Sequence, residues 1–273
     1  MAIFKYKDYD FYYEIHGDME NPFILLNGIM MSTKSWTPFV DEFKERNTLI
    51  MIDFLDQGQS SKAKESYTQA FQVEMLKAFL DHIKVKSLPI VGISYGGEIA
   101  LQFAAKYKSY VSKLVLLNTC AFTSPWLKDI GEAWNKAGES GDGLAYYLTT
   151  IPLIYSPAFY TKNLGWMKKR EAILTPLFSN KVIVDGFIRL TRSAENHDVR
   201  DALHLIDVPT LIISSKQDYL TPIEDQYYLA KHMPHADHIT IENAGHASMY
   251  ERPGLFVSLV LGFVNKAPKK YII

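Results

Sequence analysis

The feature that most narrows the fold is Gly92-Ile93-Ser94-Tyr95-Gly96-Gly97, because of what stands on either side of it. The run Leu88-Pro89-Ile90-Val91-Gly92-Ile93 is apolar and rich in β-branched residues, which predicts a buried strand, and Gly96 to Tyr107 then predicts a helix. Pro89 falls near the strand start, where a missing N–H is tolerated. A serine between strand and helix sits on a sharp turn that thrusts its hydroxyl outward. Glycines two positions before and two after it remove the Cβ atoms that would collide as the turn closes.

The surrounding pattern predicts an α/β fold with a mostly parallel central sheet flanked by helices. Ile3–Lys7 and Phe11–His16 read as an opening pair of strands. Phe23–Asn27 and Thr48–Asp53 read as the next two, with an amphipathic helix over Trp36–Arg46 between them. Apolar residues at helical spacing mark Ala70–Ile83, and Lys113–Asn118 is a further strand. There the alternation stops. From about 122 to 204 the sequence carries helical patterns, Pro and Gly breaks and eleven aromatic residues, with no convincing strand. This predicts a helical cap, residues 122–204, inserted into a core made of residues 1–121 and 205–273. The β pattern resumes at Pro209–Ser214, followed by a helix over Pro222–His232, a strand at His238–Ile241 and a closing helix over Gly254–Val264.

An unassisted serine hydroxyl is scarcely ionised at neutral pH, so a nucleophilic Ser94 needs a base. Of the eight histidines, His246 lies in a short loop, Asn243-Ala244-Gly245-His246-Ala247, between the last strand and the last helix. From there it can reach the carboxyl edge of the sheet. His16 and His82 lie in a strand and a helical pattern, and His197 and His204 at the end of the inserted segment. The trio His232, His235 and His238 spans a helix end and a Pro-containing loop without a Cys or carboxylate cluster, so it reads as solvated rather than metal-binding. The base needs an acid to fix its tautomer. Asp218 follows the strand ending at Ser214, whereas the preceding strand is followed by Asn118 and Thr119, which carry no carboxylate. Asp207, Glu224 and Asp225 read as a loop charge and helix N-terminal acids. The oxyanion of a tetrahedral intermediate calls for two N–H donors, and Tyr95 and Ile29 fill those places. Ile29 belongs to the loop Leu26-Asn27-Gly28-Ile29-Met30-Met31-Ser32, where Gly28 is expected to let the backbone turn its amides inward.

Twenty-nine Lys and Arg against thirty Asp and Glu leave a formal charge of −1, which argues against nucleic acid or an anionic membrane as partner and for a small-molecule substrate. The single cysteine, Cys120, cannot form an internal disulfide, and the first residues show no basic stretch followed by an apolar signal core. A cytoplasmic protein is expected. The apolar run Leu255–Val264 is short of the ~20 residues of a membrane span, and Lys266-Ala267-Pro268-Lys269-Lys270 reads as a solvated tail. No motif for a cofactor is present, and none is expected.

The order Ser94, Asp218, His246 and the Gly-x-Ser-x-Gly-Gly elbow resemble the α/β-hydrolase superfamily. Asn27-Gly28 with Ser32 and Trp36, and then Asp53-Phe54-Leu55-Asp56-Gln57-Gly58-Gln59-Ser60, resemble its capped branch of single-domain esterases, lactonases and C–C bond hydrolases. The branch usually has His-Gly where Asn27-Gly28 stands, so the resemblance implies that Asn27 and Gly28 support the oxyanion loop. It also implies hydrolysis of a carboxylic ester, thioester or lactone through an acyl-enzyme on Ser94. C–C bond hydrolysis of a diketone and ligand binding without catalysis are the alternatives. Serine at the nucleophile position speaks against a dehalogenase, whose nucleophile in this superfamily is aspartate.

Overall fold

The computed structural model describes residues 2–266; of the expected solvated tail, all but Lys266 lies outside the described residues. Eight strands form one sheet: β1 (Ala2–Tyr6), β2 (Tyr9–His16), β3 (Pro22–Leu26), β4 (Thr48–Ile52), β5 (Leu88–Ile93), β6 (Val111–Leu117), β7 (Thr210–Ser215) and β8 (Ala236–Ile241). Their spatial order is β1-β2-β4-β3-β5-β6-β7-β8. β1 and β2 are antiparallel, β2 runs antiparallel to β4, and every pair from β4 to β8 is parallel. Parallel strands need helices over both faces, which is why β3 and β4 read as continuous apolar runs rather than alternating ones.

The covering helices are α1 (Val40–Lys44), α2 (Gln69–His82) and α3 (Tyr95–Lys106), and later α9 (Ile223–His232), α10 (Ser248–Glu251) and α11 (Pro253–Val264). Between β6 and β7 lie five more: α4 (Pro125–Glu139), α5 (Gly143–Ile154), α6 (Pro157–Lys162), α7 (Leu164–Phe178) and α8 (Lys181–Ala194). Several of these starts carry a side-chain cap. Ser124, Asp142, Ser156 and Asn180 each accept backbone N–H groups of the first turn, and Pro125 and Pro157 occupy first-turn positions where no N–H is missed. The segment closes at its base, where Thr123 donates its N–H to the His197 carbonyl and Val199 to that of Ala121, both at 2.9 Å. The helix expected over Trp36–Arg46 is instead a 3-10 stretch, Thr33–Phe39, followed by the short α1. Pro38 lacks a donor there, and the Thr33 N–H is taken by the Asp53 carboxylate at 2.6 Å.

Among the described residues, one ion pair joins the helical segment to the loop after β4. Asp56, in the loop after β4, has a fully buried side chain, and Arg189 of α8 grips it with Nε to Oδ2 at 3.0 Å and an Nη2 contact of 2.5 Å to Oδ1. The Ala63 N–H adds a third donor at 3.0 Å. Removing one partner of a buried pair leaves a charge without compensation, so Arg189→Met should destabilise the protein by about 3 kcal/mol. Pairing it with Asp56→Asn should recover part of that loss; urea unfolding of both variants at one pH checks the coupling.

Candidate active site

The carboxyl ends of β5, β6, β7 and β8 lie side by side, and each delivers one loop to the same edge. After β5, Ser94 adopts φ 53° and ψ −121°, a conformation that costs an L-residue roughly 1–3 kcal/mol and persists only where the surroundings impose it. They do so here through hydrogen bonds and close packing. The Ser94 N–H donates to the Leu117 carbonyl at 2.9 Å, and its own carbonyl accepts the Gly97 N–H at 2.8 Å and the Thr119 hydroxyl at 2.9 Å. A Cβ at Gly92 would lie 2.5 Å from the Gly96 oxygen, and one at Gly96 2.3 Å from the Leu26 oxygen.

Asp218 and His246 are joined, Oδ2 to Nδ1, at 2.7 Å. The Asp218 carboxylate also accepts the N–H groups of Leu220 (2.8 Å) and Thr221 (3.0 Å) and the Thr221 hydroxyl (2.9 Å). A carboxylate facing only donors fixes the proton of the histidine on Nδ1 and leaves Nε2 as the basic nitrogen. Ser94 and His246 line one cavity, although no hydrogen bond among the described residues joins them. The loop that carries His246 is held from two sides. Asn118, at the end of β6, donates to the His246 carbonyl at 2.8 Å and the Ser215 hydroxyl at 3.0 Å. Glu251 accepts the Gly245 N–H at 3.1 Å and, from the helical segment, the Ser156 N–H at 2.8 Å and the Ser156 hydroxyl.

The loop of Asn27 to Met31 is fastened by buried amides. Asn27 accepts the Trp36 indole N–H at 2.7 Å and donates to the Ile52 carbonyl at 2.9 Å and to Gln57 Oε1 at 3.1 Å. Gln57 in turn donates to the carbonyls of Gly28 (2.8 Å) and Ile29 (3.3 Å). With its carbonyls turned to Gln57, the loop leaves the Ile29 N–H without a backbone acceptor, and the Tyr95 N–H opens α3 where no earlier turn supplies one. The expected reason for Gly28 needs correcting. Its φ is not left-handed, and a Cβ there would meet nothing closer than 3.4 Å, so it contributes a carbonyl for Gln57 rather than conformational freedom. Gln57, Asn118 and Glu251 were not singled out by sequence, since each has a partner far along the chain: Gly28, His246 and Ser156 respectively.

The cavity over Ser94 encloses about 830 Å³, part of it open to solvent, and is lined mainly by apolar residues such as Ile29, Met31, Ile151, Leu174 and Met249. A second cavity of about 610 Å³ shares Ile29, Ser94, Trp134 and Leu220 with it and adds Glu98, Lys128 and Glu195. Trp134 of α4 borders both, and its buried indole N–H has no partner among the described residues. The histidines of the spaced trio lie elsewhere: His235 pairs with Asp207 at 2.8 Å, His238 meets the Ser214 hydroxyl at 2.8 Å, and His232 bonds to the Tyr228 carbonyl at 2.8 Å. Among the described residues no three His, Cys, Asp or Glu side chains are grouped to hold a metal ion, and no helix is long and apolar enough to cross a membrane.

Asp225 lies in the first turn of α9, as expected, where the helix dipole favours its ionised form. Burial outweighs that effect, and with the charges of Asp218 and Glu224 it pushes the Asp225 carboxyl up to about 6. In the unfolded chain the group ionises near its usual 3.8, so between the two values the unfolded state binds fewer protons and stability falls as pH rises. Asp225→Asn should therefore be more stable than the parent above pH ~6, with the gain fading below pH ~4. Thermal midpoints measured across this range test the sign.

A model of the α/β-hydrolase fold matches residues 21–253. The chain is 53% identical to an α/β-hydrolase enzyme, MGS-M2, from a Medee basin deep-sea metagenome library; that crystal structure aligns over 100% of both chains with a TM-score of 0.98. It is 27% identical over 258 residues to 3-oxoadipate enol-lactonase 1 of Acinetobacter baylyi, covering 92% of each chain. Monoacylglycerol lipase abhd6-B of Xenopus laevis is 25% identical over 276 residues, 95% of this chain and 80% of the relative.

Proposed function

The chain belongs to the α/β-hydrolase-fold family, and on that premise we propose that it is a serine hydrolase cleaving a small, largely apolar carboxylic ester, thioester or lactone. The observation that carries this reading is the Asp218–His246 hydrogen bond at 2.7 Å beside a cavity that His246 shares with the strained Ser94. Relatives named as an enol-lactonase and a monoacylglycerol lipase support an ester-type bond.

In this mechanism His246 Nε2 takes the proton of the Ser94 hydroxyl as its oxygen attacks the substrate carbonyl. The oxyanion that forms is held by the N–H groups of Ile29 and Tyr95, kept free by the Asn27–Gln57 network and by the start of α3. Collapse expels the alcohol, which receives its proton from His246, and leaves the acyl group on Ser94. Water, activated by the same nitrogen, then releases the acid. Asp218 stays ionised throughout and stabilises the imidazolium. Residues 122–204 serve as the cap, whose Ile151, Leu174 and Phe178 favour an apolar body in the substrate. The partner is a small molecule, and the setting is the cytoplasm.

A fluorophosphonate probe should label the parent and not Ser94→Ala. Ser94→Ala and His246→Ala should each abolish most turnover of an activated ester, with the double variant little worse than either, since the residues act as one unit. Asp218→Asn should lower turnover by about three to four orders of magnitude at neutral pH, because an amide favours the wrong imidazole tautomer. An unlabelled Ser94, or near-parental rates in Asp218→Asn, would refute the assignment.

A further inference from the structure

Lys128 borders the second cavity, and among the described residues one arginine and no lysine lines the first. Arg170 of α7 lines it, makes no ion pair among the described residues, and keeps its Nε buried without a hydrogen-bond partner. Neighbouring acids are engaged elsewhere. Glu171 pairs with Lys168 at 2.7 Å, and Glu251 is held by Ser156 and Gly245. What surrounds the guanidinium is aromatic: its carbon lies 4.8 Å from the ring centre of Trp166, 5.7 Å from that of Tyr250 and 5.9 Å from that of Tyr155. Ring faces attract a cation but offer no oxygen to its N–H fork. Tyr155 also lines the cavity and is 1% exposed. Burial pushes its hydroxyl above the usual range, so it stays protonated and available as a donor. Tyr250, by contrast, already donates to the Ser35 carbonyl at 2.9 Å.

A half-buried charge without an oxygen partner is costly, and the cost is recovered when an anion reaches it. We propose that Arg170, with the Tyr155 hydroxyl nearby, forms an anion subsite, and that the substrate carries one carboxylate on the part occupying this cavity. A planar carboxylate matches the guanidinium fork in two parallel hydrogen bonds. A phosphate dianion fits less well, because Ile29, Met31, Leu174 and Leu177 leave the rest of the lining apolar. The substrate is then an apolar ester or lactone with one charged end. This inference rests on reading the Ser94 cavity as the substrate site. The rival role is a clasp, in which Arg170 binds the helical segment to the core by stacking near Tyr250 of α10.

Binding measured on Ser94→Ala separates these roles without relying on turnover. Calorimetric titration should show monomethyl adipate, a monoanion, binding about tenfold to a hundredfold more tightly than dimethyl adipate. Adding Arg170→Met should reduce that ratio to about one, and Arg170→Lys should retain part of it. The ratio is taken within each variant, so a general loss of stability cancels. Equal affinities in Ser94→Ala, no binding of the monoanion, or a preference that survives Arg170→Met would overturn the proposal. A fall in thermal midpoint with the preference intact would assign Arg170 to the clasp. Charge preference without fluorophosphonate labelling of the parent would leave the subsite standing and remove the hydrolase reading; labelling without charge preference would do the reverse.

Discussion

The close approach of α3 to β3 and β5 is the constraint from which the rest of the site follows. With 2.3 Å between a Cβ at Gly96 and the Leu26 oxygen, and 2.7 Å between one at Gly97 and the Thr119 side chain, only glycine lets the helix begin where it does. That position forces Ser94 to a left-handed φ of 53° and sets its side chain at the carboxyl edge of the sheet. It also brings the Tyr95 N–H, the first of α3, beside the loop after β3. The Ser94 side chain and the Tyr95 N–H are thus placed by one steric fact.

The loops around this turn are fixed by hydrogen bonds from buried polar groups. Asn27, Gln57 and Trp36 form one network under the oxyanion loop, and Asn118 and Glu251 hold the backbone on either side of His246. Such groups are expensive to bury singly and stabilising when each finds its partner. Asn27 joins two elements in this way because its amide both accepts and donates.

The helical segment is tied to the sheet at separate points. Arg189 grips Asp56, the Tyr95 and Ser193 hydroxyls meet at 2.9 Å, and Ser156 bonds to Glu251. Two of these anchors end on residues adjoining the reactive turn or the His246 loop. The position of the segment is consequently coupled to the geometry of the neighbouring sheet edge.

Much of the fold was legible because period and spacing are local properties. Apolar runs marked the strands, and the strand-to-helix context of Gly92–Gly97 singled out Ser94. Asp218 and His246 followed because each succeeds a strand, and parallel strands carry what succeeds them to the same edge. Boundaries shifted where a local rule met a tertiary demand. β6 stops at Leu117, where Asn118 turns to φ 47° and donates to the His246 carbonyl, and the stretch after Ser32 winds as a 3-10 helix that contains Pro38, a residue with no N–H to donate. Gln57, Asn118, Glu251 and Arg170 carried no sequence signal, since a polar residue in a loop or on a helix reads the same whether solvent or a distant partner awaits it. Most elements, their order and the placing of Ser94, Asp218 and His246 after strands could be read from period and spacing alone. Which buried amides hold the loops depends instead on groups that folding brings together across 25 to 128 positions of chain, and no local pattern records that.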